Sequence, residues 1–124
     1  MYSKEQLTAA AAEMQTFLET KPSSEPNDLI VRLEELQVLV AKSGNMLADA
    51  KYFQDMVTNG AIMEALKQSY EERLSPSTIN KFVTTAAKDQ NYLVNWLNRI
   101  NAAAVHQIDS VRTILSYRKS EMTL

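Results

Sequence analysis

Apolar residues recur along most of the chain in steps of three and four, the spacing of one face of an α-helix. From about Asp89 to Met122 the pattern is unbroken and free of glycine and proline, with Leu93, Leu97, Ile100, Ala104, Ile108, Val111, Leu115 and Met122 on one stripe. These positions also recur every eleven residues, which suits a straight or slightly right-handed helix. Near the start, Ser3 and Gln6 form a capping box that opens a first helix, and Leu7, Ala11, Met14 and Leu18, widened by Phe17, form its stripe. That helix is expected to stop near Thr20. Lys21 to Pro26 carries two prolines, each without an N–H and each pushing its predecessor toward extended geometry, so 21–26 reads as an exposed connector.

Asn27 or Asp28 then caps a second helix that runs to about Thr58. Leu29, Leu33, Leu36, Val40 and Leu47 make its first stripe; Leu39, Met46, Ala50, Phe53 and Val57 make a second, about a quarter turn away. Val31 and Val38 lie on yet another side, so this helix is apolar nearly all round and calls for more than one neighbour. Gly44 within it permits close helix approach or a slight bend. Asn59-Gly60 is a helix-stop signal. A shorter helix, Ala61 to Leu74, follows with Ile62, Leu66 and Tyr70 inward. Ser75-Pro76 opens another, with Ile79, Phe82, Val83 and Ala86 as its apolar face. The polar run 88–91 suggests a break with Asp89 capping the last helix, although a continuous helix from Pro76 to Met122 is the alternative. The expected architecture is therefore all-α: one domain, 1–124, an antiparallel, coiled-coil-like helical bundle. It has two long helices, about 27–58 and 89–122, an N-terminal helix and two short connecting helices.

Composition narrows the function classes. Apolar residues make up 45% of the 124, enough for one core, and two glycines with three prolines favour helix throughout. Without cysteine there are no disulfides, thiolate metal sites or cysteine nucleophiles. No apolar run approaches the roughly 20 residues that span a bilayer, and residues 1–7 lack the order of a signal peptide, so a soluble cytoplasmic protein without membrane contact is expected. The net charge of −2 hides an asymmetry. Residues 1–72 hold six Lys/Arg and twelve Asp/Glu, a balance of −6; residues 73–124 hold seven and three, a balance of +4. Attraction between early and late helices, within or between chains, is the plain meaning. A basic surface for nucleic acid, built from Lys81, Lys88, Arg99, Arg112, Arg118 and Lys119 with Tyr92 or Trp96 stacking on bases, is the sharper one.

His106 is the sole histidine and the one side chain that titrates near neutrality when unperturbed. It shares a polar face with Asn95 and Asp109, and with Asp49 of the second helix these groups define a candidate weak metal or base site. A solvated or dimer-facing histidine is the plainer reading. Two Glu-x-x-His pairs, as a di-iron bundle requires, cannot be drawn from one histidine, and neither glycine belongs to a phosphate-cradling loop. No catalytic residue, metal or cofactor is therefore assigned. Trp96 sits at the edge of the core stripe, with Tyr92 one turn before it and Arg99 three residues after, either packed in the bundle under Arg99 or anchoring an interface. Tyr52 and Met56, off the main stripe beside Asp49, carry the same two readings, packed in the bundle or meeting a partner chain.

Two segments carry a resemblance: 43–52, Ser-Gly-Asn-Met-Leu-Ala-Asp-Ala-Lys-Tyr, and 91–122, from Asn91 through Trp96, Arg99, His106, Gln107, Asp109 and Arg112 to Ser120-Glu121-Met122. Together, about a third of the chain, they resemble small helical proteins encoded by phages and prophages of gut Bacteroidetes. The resemblance implies a phage or prophage context and an assembly or accessory role, with no activity to carry over.

The expected function is that of a non-enzymatic interaction protein that self-associates, with a dimer favoured, through surfaces including Val31, Val38, Tyr52, Met56, Tyr92 and Trp96. An accessory nucleic-acid binder is the alternative.

Overall fold

The computed structural model describes residues 1–122, and all regular structure in it is helical: α1 (Lys4–Glu19), α2 (Pro26–Glu72), α3 (Pro76–Ala86) and α4 (Lys88–Met122). The all-α, antiparallel bundle expected from the periodicity is the observed fold. At 1.5 Å per residue α2 is about 70 Å long, and α3 and α4 return along it in succession.

Three side-chain hydrogen bonds fix the antiparallel register of α2 against α4. Gln54 Nε2 donates to Asn91 Oδ1 at 2.7 Å, Asn101 Nδ2 donates to Ser43 Oγ at 2.9 Å, and Arg32 Nη2 donates to Gln107 Oε1 at 3.1 Å. Helix α1 lies across both, antiparallel to α2 and parallel to α4. Its start is held by the Tyr2 N–H on Asp49 Oδ2 (3.0 Å), its middle by Trp96 Nε1–H on Gln15 Oε1 (3.1 Å), and its end by Gln107 Nε2–H on the Leu18 carbonyl (2.8 Å). Both halves of the Ser3/Gln6 capping box form, and the helix ends at Thr20.

The core follows the stripes. Leu7, Ala11, Met14 and Leu18 of α1 are buried against Leu29, Leu36, Leu39, Met46 and Ala50 of α2 and Leu93, Leu97, Ile100, Ala104 and Val111 of α4. Ile108 and Leu115 are half-buried, Met122 is exposed, and Val94 joins the core. Burial of each large aliphatic side chain contributes about 1.5–3 kcal/mol, so these three stripes carry most of the stability.

Several local expectations are corrected. The second helix does not stop at Asn59-Gly60: α2 runs through it, and Gly60 does not adopt the positive φ a glycine stop uses. Continuation is favoured because Ala61 and Ala65, one turn on, are buried in the part of α2 against which α3 packs, and tertiary burial outweighs the roughly 1 kcal/mol glycine cost. There is consequently one short connecting helix, not two. Helix α2 instead ends at Arg73, held in the left-handed region (φ 52°, ψ 60°) with its N–H on the Ser69 carbonyl. At the other end, neither Asn27 nor Asp28 caps α2; Glu25 occupies that position with no side-chain bond, and Pro26 supplies the first turn with its preset φ.

The inward face after Gly60 is also different. Ala61 and Ala65 are buried, whereas Ile62, Leu66 and Tyr70 point outward. On α3, Ile79 and Val83 are half-buried and Phe82 and Ala86 are exposed. Finally, the break before α4 is the single residue Ala87, itself buried, and Asp89 does not cap the helix. Its carboxylate pairs with Lys4 Nζ at 3.2 Å. Gly44 is not a point of close approach: a Cβ there would stand 4.0 Å from Asn101 Nδ2, an ordinary contact.

Candidate functional site

The bundle is three helices thick only where α1 is present. Beyond about residue 54 of α2 the fold is a two-helix hairpin of α2 and α3, so the side of α2 facing away from α3 has no covering element among the described residues. That side is largely apolar: Met56, Asn59, Met63, Leu66 and Tyr70 follow one another in alternating steps of three and four, a seam of seven-residue period that Tyr52 and half-buried Asp49 extend back beside the start of α1 and that the cap residue Arg73 closes. Ala61 and Ala65 lie about half a turn round from it. Tyr52 is 51% exposed, Met63 60% and Tyr70 94%, with Met56 and Leu66 also more than half exposed. Of the residues expected at an interface, Tyr52 and Met56 belong to this seam. Val31 and Val38 are exposed farther down α2, where Lys42 and Asn45 interrupt the stripe.

A second surface lies between α1 and the start of α4. A groove of about 580 Å³ is lined by Lys4, Thr8, Lys88, Asp89, Tyr92, Asn95 and Trp96 among others. Tyr92 is exposed and its ring lies 6.0 Å from that of Trp96, tilted by 55°. Trp96 is half-buried with its N–H committed to Gln15. Arg99 is exposed, and the cation–π contact found is made elsewhere, by Arg32 on Phe17. The candidate basic residues do not converge. Lys81 is on α3; on α4, helical periodicity puts Lys88 and Arg99 on one face, Arg112 and Lys119 on another, and half-buried Arg118 in line with the core stripe.

The polar face is corrected in one member. Asn95, His106 and Asp109 are exposed on α4, but Asp49 does not join them; it is half-buried and receives the Tyr2 N–H at the start of α1. Among the described residues no three His, Cys, Asp or Glu side chains are placed to hold a metal ion. No helix among them is long and apolar enough to cross a membrane.

The polar centre that apolar periodicity does not reveal is Arg32. Only 6% exposed, it donates through Nη2 to the Phe17 carbonyl at 2.8 Å, and its guanidinium carbon sits 3.8 Å from the centre of the Phe17 ring. Desolvation pushes its pKa below the ordinary arginine value, and the Glu35 carboxylate opposes that shift. Its Nε, also buried, has no partner among the described residues. A cation at the last carbonyls of α1 complements the negative end of that helix's dipole, so Arg32 closes the end of α1 and serves the fold. Buried Ser43 plays a similar part, its hydroxyl receiving the Asn101 amide while donating to the Val40 carbonyl at 3.2 Å. The signal available for both was position alone: each lies on the inward face of α2 between buried leucines and Met46.

No protein-family model, no curated protein and no solved structure matches the chain.

Proposed function

We propose that the chain is a non-enzymatic helical interaction protein that associates with itself, as a dimer. The observation that carries this reading is the uncovered seam on α2, where Tyr52, Met56, Met63, Leu66 and Tyr70 are each more than half exposed over some five turns of one helix. Contiguous apolar surface on that scale marks an interaction site in a folded protein. The resemblance to phage and prophage helical proteins supports an assembly or accessory role in the host cytoplasm. Sedimentation equilibrium of the native chain at tens of micromolar tests the reading. A mass of two chains is expected, and a mass of 14.0 kDa throughout contradicts it.

A second reading, accessory nucleic-acid binding, is favoured by the groove in which Lys88 neighbours Tyr92 and Trp96. It predicts a mobility shift of single-stranded DNA at low salt that disappears as salt is raised. Absence of any shift at low salt removes it.

A further inference from the structure

We infer that two copies of this chain pair through residues 49–73 of α2 with the helices antiparallel, about a two-fold axis level with Ala61. The inference rests on the self-association reading and adds the surface, the orientation and the register.

Three observations converge. The first is period: Tyr52, Met56, Asn59, Met63, Leu66 and Tyr70 alternate in steps of four and three, so a partner helix that supercoils left-handedly about α2 can follow the whole seam as knobs into holes. The second is area. Scaling a fully exposed large side chain at about 200 Å² by the exposures of the five apolar seam residues and Ile62 gives at most on the order of 700 Å² per copy, near the roughly 800 Å² per partner of a stable interface.

The third is charge, and it selects the orientation. The seam begins with a carboxylate, Asp49, and a guanidinium, Arg73, follows Tyr70 at the left-handed cap that closes the helix. A parallel, in-register pair sets Asp49 against Asp49 and Arg73 against Arg73. An antiparallel pair sets Asp49 against the partner's Arg73 at both ends. The same register places Tyr52 against the partner's Tyr70, Met56 against the partner's Leu66 and Asn59 against the partner's Met63. Every large apolar side chain then has a neighbour, and Asn59, the polar residue between the charged ends, sits beside the axis, where a slip in register moves it against different neighbours. Antiparallel pairing also directs the α1 ends of the two bundles away from one another. At Asp49 one carboxylate oxygen receives the Tyr2 N–H, which leaves the other for a partner.

The chain has no cysteine, so single introduced thiols report the register. Full-length Asn59→Cys and Met63→Cys chains, one carrying a mass tag, are mixed, equilibrated and oxidised. The expected product is the mixed disulfide between the two variants, with little cross-linking of either variant alone; Arg73→Glu is expected to weaken association about tenfold and Arg73→Lys to leave it largely intact. Cross-linking of Asn59→Cys with itself overturns the antiparallel register. Failure of any cross-link in a chain that sediments as a dimer overturns the surface while leaving self-association standing, whereas a monomeric native chain overturns both.

Discussion

Arg32 Nη2 donates to the carbonyl oxygen of Phe17 at 2.8 Å while its guanidinium carbon sits over the same residue's ring, 3.8 Å from the centre. One side chain of α2 thereby satisfies the end of α1 and covers its last aromatic, and Gln107 of α4 completes the join through the Leu18 carbonyl. Removing it leaves a void and two acceptors, the Phe17 carbonyl and Gln107 Oε1, without that donor. Arg32→Ala is expected to lower stability by about 2–4 kcal/mol. Arg32→Met keeps the apolar stem, drops the desolvated charge and should lose only about 1–2 kcal/mol. Urea denaturation of the three proteins checks the order; equal midpoints contradict it.

Gly60 gives an opposite expectation. It lies inside α2 without a positive φ, and a Cβ built there meets nothing within 4 Å. Gly60→Ala should therefore raise stability by up to about 1 kcal/mol through helix propensity alone. Were the chain to turn at Asn59-Gly60, alanine in the left-handed conformation would lower it, so the sign of the change in the urea midpoint discriminates between one long helix and two.

Where α3 packs on α2, Ala65 is fully buried. Ala65→Leu has no space to enter and should cost about 1–3 kcal/mol by forcing α3 outward. Hydrogen exchange should quicken in α3 while α1 and the lower half of α4 keep their protection. Uniformly faster exchange in all helices contradicts the separation of the hairpin from the three-helix body.

Lys4 and Asp89 make an ion pair at 3.2 Å with both side chains well exposed. Screening by solvent keeps such pairs weak, so Lys4→Ala should change stability by no more than about 0.5 kcal/mol. A larger loss in thermal or urea melting contradicts this.

The parts legible in sequence were those set by large apolar side chains at helical spacing. The α1 stripe is buried as expected at all four positions, and most of the α4 stripe is too, because each has a broad neighbour to pack on. The capping box of Ser3 and Gln6 was legible because its chemistry is local. The second half of α2 was not. There the inward face is two alanines, which carry little apolar signal, and the conspicuous Ile62, Leu66 and Tyr70 face out. Helix packing at close range selects small residues, so the largest side chains marked the surface left uncovered. Arg32 was missed because its stem buries like an aliphatic while its composition reads as a surface charge.

The self-association of this chain is tested most directly by measuring sedimentation mass for the native protein and for Leu66→Glu side by side at tens of micromolar. Leu66 is more than half exposed, so the substitution leaves the core of each chain intact. Twice the 14.0 kDa chain mass for the native protein and a single chain mass for the variant is the expected result. A native protein that remains a single chain contradicts self-association, and a variant that remains paired contradicts the assignment of the α2 seam.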